Sequence, residues 1–221
     1  MQPGSLERER VQLAAACRRL AVAGLVHGTA GNLSVRHGDV IAITPTGAQL
    51  ESLEAGDVTL IDATGEVVGG GLRPTSELDL HLAVYERYGA GAVVHTHAPM
   101  STAVSCVLEE LPCVHYEMVL LGGSVRVAPY TTFATPELAA AAVDALQGRT
   151  AALLANHGTV TFGADLDGAV RATELLEWAA TLYWRAAQLG TPRVLDEAEL
   201  ADVLTVAARR SYGTTQPVDD A

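Results

Sequence analysis

Two histidines separated by one residue, His95 and His97, are the first residues whose spacing suggests chemistry. They follow a run of small and β-branched residues, 91–94, which predicts a buried strand. Alternate residues of a strand point to the same face, so both imidazoles would lie side by side at its end. Such a pair suits a divalent metal such as zinc, although a short His-x-His motif often occurs without one.

Two further stretches offer the remaining ligands of a metal site. His157 follows a second apolar run, 151–155, and again stands at a predicted strand end. Glu77 lies at the predicted start of a helix, where the helix dipole by itself favours an acidic residue. Three histidines and one carboxylate complete a catalytic type of zinc set, provided that one ligand can leave to admit a substrate.

Turns that combine glycine with hydroxyl side chains occur at residues 28–32, 44–47 and 70–76. Such turns can bring backbone N–H groups close to an anion, and they are equally typical of ordinary connections. Thr75 and Ser76 precede a helical pattern, and Ser76 with Asp79 loosely matches a capping box. A helix N-terminus of this kind is a natural phosphate site.

Composition limits the classes of function. The 221 residues show no break in composition, which predicts a single domain over 1–221 with a polar, mobile tail from about residue 213. A net charge of -12 argues against nucleic-acid binding. No apolar run is long enough to span a membrane, and the charged first ten residues lack the apolar stretch of a secretory signal. Three cysteines without a CxxC spacing favour a reduced, cytoplasmic protein.

The order of predicted elements argues against a dinucleotide-binding fold. A helix over 6–23 is followed by two early hairpins, at 32–43 and 58–68, and no GxGxxG motif is present. Helices are then predicted at 78–88, 98–108, 136–147, 165–188 and 197–210. Strands are predicted at 91–97, 111–116, 125–128 and 151–155.

Taken together, these motifs resemble those of the class II aldolase/epimerase (adducin-head) family, and among its members those of the L-fuculose-1-phosphate aldolases. The resemblance covers nearly the whole chain, including residues 130–135 and 212–213. Its motifs, in chain order, are GNLS at 31–34, TPTG at 44–47, PTSE at 74–77, HTH at 95–97 and NHG at 156–158.

The resemblance implies an α/β fold of three layers (α/β/α), with a central, largely antiparallel sheet flanked by helices. It also implies a homotetramer of four-fold symmetry with active sites between subunits. Each subunit would hold one Zn²⁺, or another divalent metal, through His95, His97, His157 and Glu77. Thr75 stands where these aldolases more often carry serine, and Asn156 where they carry a second, non-ligating histidine.

The implied reaction is reversible cleavage of L-fuculose 1-phosphate, or a related ketose 1-phosphate, to dihydroxyacetone phosphate and L-lactaldehyde through a metal-stabilised enediolate. Glu77, displaced from the metal, would act as the base. Tyr116 from the adjacent subunit would donate a proton, and Phe133 and Tyr212 would lie near the aldehyde part of the substrate. The residues that match phosphate-binding positions are Thr29, Asn32, Thr46, Gly47, Thr75 and Ser76.

Several alternatives remain open within this resemblance. An L-ribulose-5-phosphate 4-epimerase uses the same retro-aldol step, but its Pro-Ser-Ser-Asp differs from residues 74–77, and Glu77 favours an aldolase. Tyr116 and Tyr212 count against a methylthioribulose-phosphate dehydratase. An aldolase for another 5-deoxypentulose phosphate is harder to exclude, because a hydrophobic pocket discriminates weakly around a methyl group. A non-catalytic module like the adducin head would be expected to lose metal ligands, and all four are present.

Overall fold

The computed structural model describes residues 6–210, in which α-helices pack on both faces of a nine-stranded sheet. The strands are β1 (Asn32–His37), β2 (Val40–Ile43), β3 (Thr59–Asp62), β4 (Val67–Gly69), β5 (Ala92–Thr96), β6 (Glu110–Leu111), β7 (Val125–Ala128), β8 (Ala151–Leu154) and β9 (Gly158–Gly163). The helices are α1 (Glu7–Val22), α2 (Leu78–Tyr88), α3 (Pro99–Ser105), α4 (Pro136–Ala145), α5 (Leu166–Leu189) and α6 (Glu197–Arg210).

The strands follow the order β4-β3-β2-β1-β5-β9-β8-β7-β6 across the sheet. Every neighbouring pair in this described sheet is antiparallel except β7 and β8, which run parallel. The fold class expected from the sequence, an α/β protein with a largely antiparallel central sheet between helices, is therefore confirmed.

Both faces of the central strands are buried. On β5, Val94 belongs to an apolar cluster with α1 and α5, whereas Val93 belongs to a cluster with α2 and α4. Successive strand residues point to opposite faces, so one strand contributes to two cores. This double burial explains why β5 and β8 appear in the sequence as continuous apolar runs.

Some helix starts, such as that of α4, follow local side-chain chemistry, whereas α1, α2 and α3 have no side-chain cap. Thr135 accepts the Leu138 N–H at 3.3 Å and Pro136 takes the first helical position of α4, as the sequence predicts. The predicted capping box of Ser76 and Asp79 is wrong. Glu77 is the residue that flanks α2, and α2 has no side-chain cap. The Thr75 hydroxyl instead accepts the Glu77 N–H at 3.2 Å.

The strand predicted over 111–116 is mostly absent. Strand β6 covers only Glu110–Leu111, and residues Tyr116–Leu121 form a 3-10 helix. The His115 side chain accepts the Glu117 N–H at 3.2 Å, which favours a turn over continued extension. Helix α3 also ends at Ser105, earlier than predicted.

Within residues 6–210, no helix combines the length and the apolar character needed to cross a membrane. The predicted tail over 213–221 lies outside the described residues, and the single-domain assignment stays a prediction.

Candidate metal centre and substrate cavity

Three histidine rings converge at the end of the central strand β5. The Nε2 atoms of His95 and His97 lie 3.0 Å apart. One ligand atom from each of His95, His97 and His157 falls within 4.8 Å of the others. His95 on β5 and His97 one residue beyond its end therefore lie side by side, and the three histidines are positioned to bind a metal.

The pairing of β5 with β9 brings His157 to the other two histidines. Thr96 is paired with Thr159, so the turn before β9 lies against the end of β5. A Cβ atom added to Gly158 would lie 2.3 Å from the Thr96 carbonyl oxygen and 3.1 Å from the His97 ring. Only glycine permits this close approach.

Glu77 supplies a carboxylate to the same cluster from the start of α2. Its Oε2 lies 3.0 Å from His95 Nε2, and its Oε1 lies 3.4 Å from His157 Nε2. The side chain is buried. The four predicted ligands thus come together from three separate parts of the chain.

The protonation of the histidine ring nitrogens bears on whether they can bind a metal. His95 Nδ1 lies 2.8 Å from the Thr159 carbonyl oxygen, which can only accept, so Nδ1 carries a proton and Nε2 is the nitrogen that faces the cluster. Burial, together with the nearby charge of His95, lowers the pKa of His97 to about 4. The same two causes lower the pKa of His157 to about 4. Both rings are therefore neutral at pH 7.

Glu77 is held as a carboxylate. Burial by itself would raise its pKa, but the hydrogen bond and charge of His95 and the hydrogen bond from Asn32 outweigh burial. The net effect lowers the pKa of Glu77 below its ordinary value.

These residues fit a divalent cation. Buried Glu77 Oε1 and His157 Nδ1 make no hydrogen bond within residues 6–210. The facing Nε2 atoms of His95 and His97 would repel through their lone pairs unless a proton or a cation lay between them. Nitrogen and oxygen donors of this kind suit zinc and other divalent metals alike.

A cavity of about 370 Å³ opens beside the cluster. Its wall includes Glu77, His97 and His157 together with every predicted phosphate-binding residue and Phe133. The full lining is Thr29, Ala30, Gly31, Asn32, Thr46, Gly47, Thr75, Ser76, Glu77, His97, Tyr130, Thr131, Phe133, Asn156 and His157.

Two of the glycine and hydroxyl turns are joined to each other by backbone hydrogen bonds. The Thr46 N–H donates to the Arg73 carbonyl oxygen, and the Thr75 N–H donates to the Thr44 carbonyl oxygen, each at 3.0 Å. This pairing sets residues 44–47 against residues 73–76. Gly47 has a φ of 73°, a left-handed conformation that favours glycine.

Tyr116 is a predicted site residue that the structure does not bring to this cavity. Tyr116 begins the 3-10 helix and is not among the cavity-lining residues of its own chain. It lines a separate apolar groove beside α6. Tyr212 lies outside the described residues. The predicted contribution of Tyr116 from a neighbouring subunit therefore stays a prediction.

Sequence reasoning missed several polar residues around the site. Tyr130 and Thr131 line the cavity. The available signal was their position three and two residues, respectively, before the predicted site residue Phe133. His81 is buried behind Glu77 and bonded to Asn32. Its spacing of four residues after Glu77 on a helix was a signal that it faces the same way.

Comparison with known proteins places the chain in a family. The Class II Aldolase and Adducin N-terminal domain family matches residues 11–184. The chain is 42% identical over 204 residues to the 5-methylthioribulose-1-phosphate/5-deoxyribulose-1-phosphate aldolase of Rhodospirillum rubrum, covering 91% of this chain and 92% of that protein. It is 40% identical over 204 residues to the L-fuculose phosphate aldolase of Escherichia coli O6:H1, covering 90% of this chain and 94% of that protein.

A solved structure of L-fuculose 1-phosphate aldolase has a TM-score of 0.87 and 35% identity, covering 93% of this chain and 97% of that one. The agreement therefore extends over most of the chain. The chain belongs to the class II aldolase family and is an aldehyde-lyase.

Proposed function

We propose that the protein is a Zn²⁺-dependent aldolase that reversibly cleaves a ketose 1-phosphate to dihydroxyacetone phosphate and a short aldehyde. The observation that carries the proposal is one cavity with two kinds of wall. One wall holds Glu77, His97 and His157, which adjoin the buried His95, and the other consists of turns rich in glycine and hydroxyl groups. We further propose a cytoplasmic homotetramer.

The chemistry of the proposed site divides between the metal and the chain. His95, His97, His157 and Glu77 would hold the ion. The bound ion supplies Lewis-acid stabilisation of the negative charge that develops as the carbon–carbon bond breaks. No lysine lies among the cavity residues, which is consistent with an aldolase that forms no Schiff base.

Glu77 is the proposed base. In the condensation direction it takes the proton from the carbon that will be joined, and in cleavage it returns that proton. Its contacts with His95 and Asn32 are what hold its pKa low, whereas burial acts to raise it. If Glu77 moves away from His95, the raising effect of burial is less opposed, and the carboxylate becomes a stronger base.

The turns are the proposed phosphate cradle. Thr29, Thr46, Thr75 and Ser76 provide hydroxyl groups, and Gly47 provides a backbone that an anion can approach. Because the chain carries a net charge of -12, these neutral donors must supply the attraction locally. They also orient the sugar phosphate against the ligand residues.

Tyr116 and the aldehyde-side residues complete the proposal. A tyrosine hydroxyl from a second copy of the chain would give a proton to the aldehyde oxygen as the new bond forms. Phe133, which is 63% exposed at the cavity, and Tyr212 would contact the aldehyde part of the substrate. A tetramer would bring Tyr116 to a neighbouring cavity, which its position in a single chain does not do.

Three substrates share the dihydroxyacetone phosphate half and differ in the aldehyde. L-fuculose 1-phosphate yields L-lactaldehyde, 5-deoxyribulose 1-phosphate yields acetaldehyde, and 5-methylthioribulose 1-phosphate yields methylthioacetaldehyde. Relatives named for these substrates are 42% and 40% identical to the chain, so identity does not choose between them. We propose that the enzyme accepts at least one of the three.

The test is release of dihydroxyacetone phosphate from each substrate, followed with a coupled reductase, with and without a chelator. We expect release that the chelator abolishes and Zn²⁺ restores. Absence of release from all three by the metal-loaded protein would overturn the proposal. Interconversion of L-ribulose 5-phosphate would then indicate an epimerase, and metal binding without any turnover would indicate an interaction module.

A further inference from the structure

A line of buried polar side chains runs from Glu77 away from the cavity, and only its first member, Asn32, also lines the cavity. Asn32 Nδ2 donates to Glu77 Oε2 at 2.9 Å, and Asn32 Oδ1 lies 2.5 Å from His81 Nε2. On the other side of the His81 ring, Nδ1 lies 2.7 Å from Ser34 Oγ, and Ser34 Oγ lies 2.8 Å from the Tyr85 hydroxyl.

Two regular elements place these residues in line. Asn32 and Ser34 are alternate residues of β1 and so share a face, and His81 and Tyr85 are one turn apart on α2. All four side chains are buried, and His81 is 0% exposed. Buried polar groups are expensive unless paired, and every link here is paired.

The charge of Glu77 sets the direction of every hydrogen bond in the line. A carboxylate only accepts, so Asn32 must turn its NH₂ towards Glu77 and its oxygen towards His81. That oxygen needs a donor, so the His81 proton is on Nε2. Burial lowers the pKa of His81 to about 3, which keeps the ring neutral and leaves Nδ1 as an acceptor. Ser34 therefore donates to Nδ1 and accepts from Tyr85.

We infer that His81, supported by Ser34 and Tyr85, is a positioning residue that fixes the Asn32 amide and through it the carboxylate of Glu77. The expected effect on kcat rests on the proposed function. The expected effects on Zn²⁺ affinity and on the His81 tautomer rest on the site geometry alone. No member of the line other than Asn32 and Glu77 touches the cavity. His81 thus acts only through Asn32.

This line gives Asn32 a role beside its predicted contact with phosphate. Both functional groups of its amide are already engaged, one by Glu77 and one by His81. If the amide were free to rotate by half a turn, its oxygen would face the carboxylate and repel it. The line prevents that rotation, so Glu77 keeps its Oε2 beside His95.

The first experiment compares His81→Leu and Ser34→Ala with the wild type as folded, full-length protein. His81→Leu removes both ring contacts, and we expect kcat to fall by about 10-fold to 100-fold and the Zn²⁺ dissociation constant to rise by about 10-fold, since outer-shell changes have effects of this size. Ser34→Ala should shift both quantities in the same direction by about 3-fold to 10-fold. KM should change less than kcat, because Asn32 is the only one of the six predicted phosphate-binding residues that His81 contacts among the described hydrogen bonds.

Thr173→Val is the matched control. Thr173 is buried, and its hydroxyl bonds only to Thr161 and to the Ala169 carbonyl oxygen. The variant loses a buried hydroxyl as Ser34→Ala does, but from a network without a link to Glu77. We expect its kcat and Zn²⁺ affinity to stay within about 2-fold of the wild type. If all three variants lose only unfolding stability, with unchanged kcat and Zn²⁺ affinity for the folded fraction, the inference is overturned.

A second measurement needs no variant to fold and no substrate. In ¹⁵N-histidine-labelled wild-type protein at pH 7.5, we expect a His81 ring with the proton on Nε2 and a bare Nδ1, assigned by its proximity to the Tyr85 ring. A proton on Nδ1 overturns the inference. If none of the proposed substrates is cleaved, the tautomer and the Zn²⁺ affinities still decide the role of His81 separately from the proposed function.

Discussion

The two walls of the cavity are built in different ways. The ligand wall, which consists of Glu77, His97 and His157 with the buried His95 beside them, rests on strand ends and a helix start and is buried or half-buried. The turn wall, formed by residues 29–31, 46–47, 75–76 and 130–133, consists of connecting segments. Strand register fixes the groups that must meet a metal within fractions of an ångström, whereas turns suffice for groups that hold a substrate.

The largest effect should come from removing a metal ligand. His157→Ala should abolish Zn²⁺ retention and reduce kcat/KM at least about 1000-fold, since Lewis-acid stabilisation is worth several kcal/mol. Metal content and dihydroxyacetone phosphate release measure the two consequences. His37→Ala, at an exposed histidine paired with Glu9, is the control and should retain both. Full activity in a metal-free His157→Ala protein would disprove the assignment of the ligand wall.

Glu77→Gln should separate binding from chemistry within the ligand wall. We expect Zn²⁺ to be retained by the three histidines while kcat falls about 100-fold to 10,000-fold, the range for a lost general base. The amide keeps the size of the carboxylate but cannot take a proton. The same release assay on a metal-loaded sample checks this expectation, and near-normal turnover would remove Glu77 as the base.

A pair of glycine substitutions compares the rigidity of the two walls. Gly158→Ala places a methyl group 2.3 Å from the Thr96 carbonyl oxygen, and we expect it to lower the free energy of unfolding by about 3 kcal/mol. Gly47→Ala meets no atom within 4 Å and strains only a φ of 73°, so its cost should be about 1 kcal/mol. Urea unfolding of both variants measures the difference. Equal losses of unfolding free energy would mean that the ligand wall deforms as readily as the turn wall.

Substitutions in the turn wall should act on binding. Thr46→Val should raise KM about 10-fold or more with little change in kcat, because one hydrogen bond to a charged group is worth about 1.5–3 kcal/mol. Thr64→Val, in a turn that is not part of the cavity, is the control. A fall in kcat equal to the rise in KM would contradict the division of labour between the walls.

The smallest expected effect is a loss of folding stability at acidic pH. The pKa of His81 is about 3 in the folded protein and about 6.5 when unfolded. Below pH 6.5 the unfolded chain therefore binds a proton that the folded chain does not, and stability falls as the pH falls. Between pH 7.5 and 5.5 this costs about 1 kcal/mol. The lowered pKa values of His97 and His157 act in the same direction.

Urea midpoints of the chelator-treated protein at pH 7.5, 6.5 and 5.5 measure this loss. His81→Leu should reduce the slope, since the group responsible for part of it is gone. A midpoint that does not change with pH in the wild type would contradict a buried, neutral His81.

Much of the ligand wall was predictable because its signals are local. The spacing of His95 and His97 follows directly from strand geometry, and His157 follows an apolar run. The helix starting at Pro136 was equally clear from Thr135 and proline chemistry. In each case the relevant contacts lie within a few residues along the chain.

What the sequence did not reveal depends on contacts between distant segments. The bond from Asn32 to Glu77 joins residues 45 positions apart, and the bond from His81 to Asn32 joins residues 49 apart. The predicted Ser76 cap failed for a similar reason, because Thr75 and Glu77 are held by the neighbouring turn and by the histidines. The strand predicted at 111–116 failed for a local reason instead, because the His115 side chain caps a 3-10 helix that begins at Tyr116.

The position of β5 between β1 and β9 also affects the order in which the sheet can form during synthesis. During synthesis, His157 emerges sixty residues after His97, which takes about 3–12 s at about 5–20 residues per second. Over that interval β5 can pair with β1, but its other edge has no partner and is open to misassociation. A complete metal site therefore requires that the centre of the sheet has closed, because the pairing of β5 with β9 brings His157 to His95 and His97.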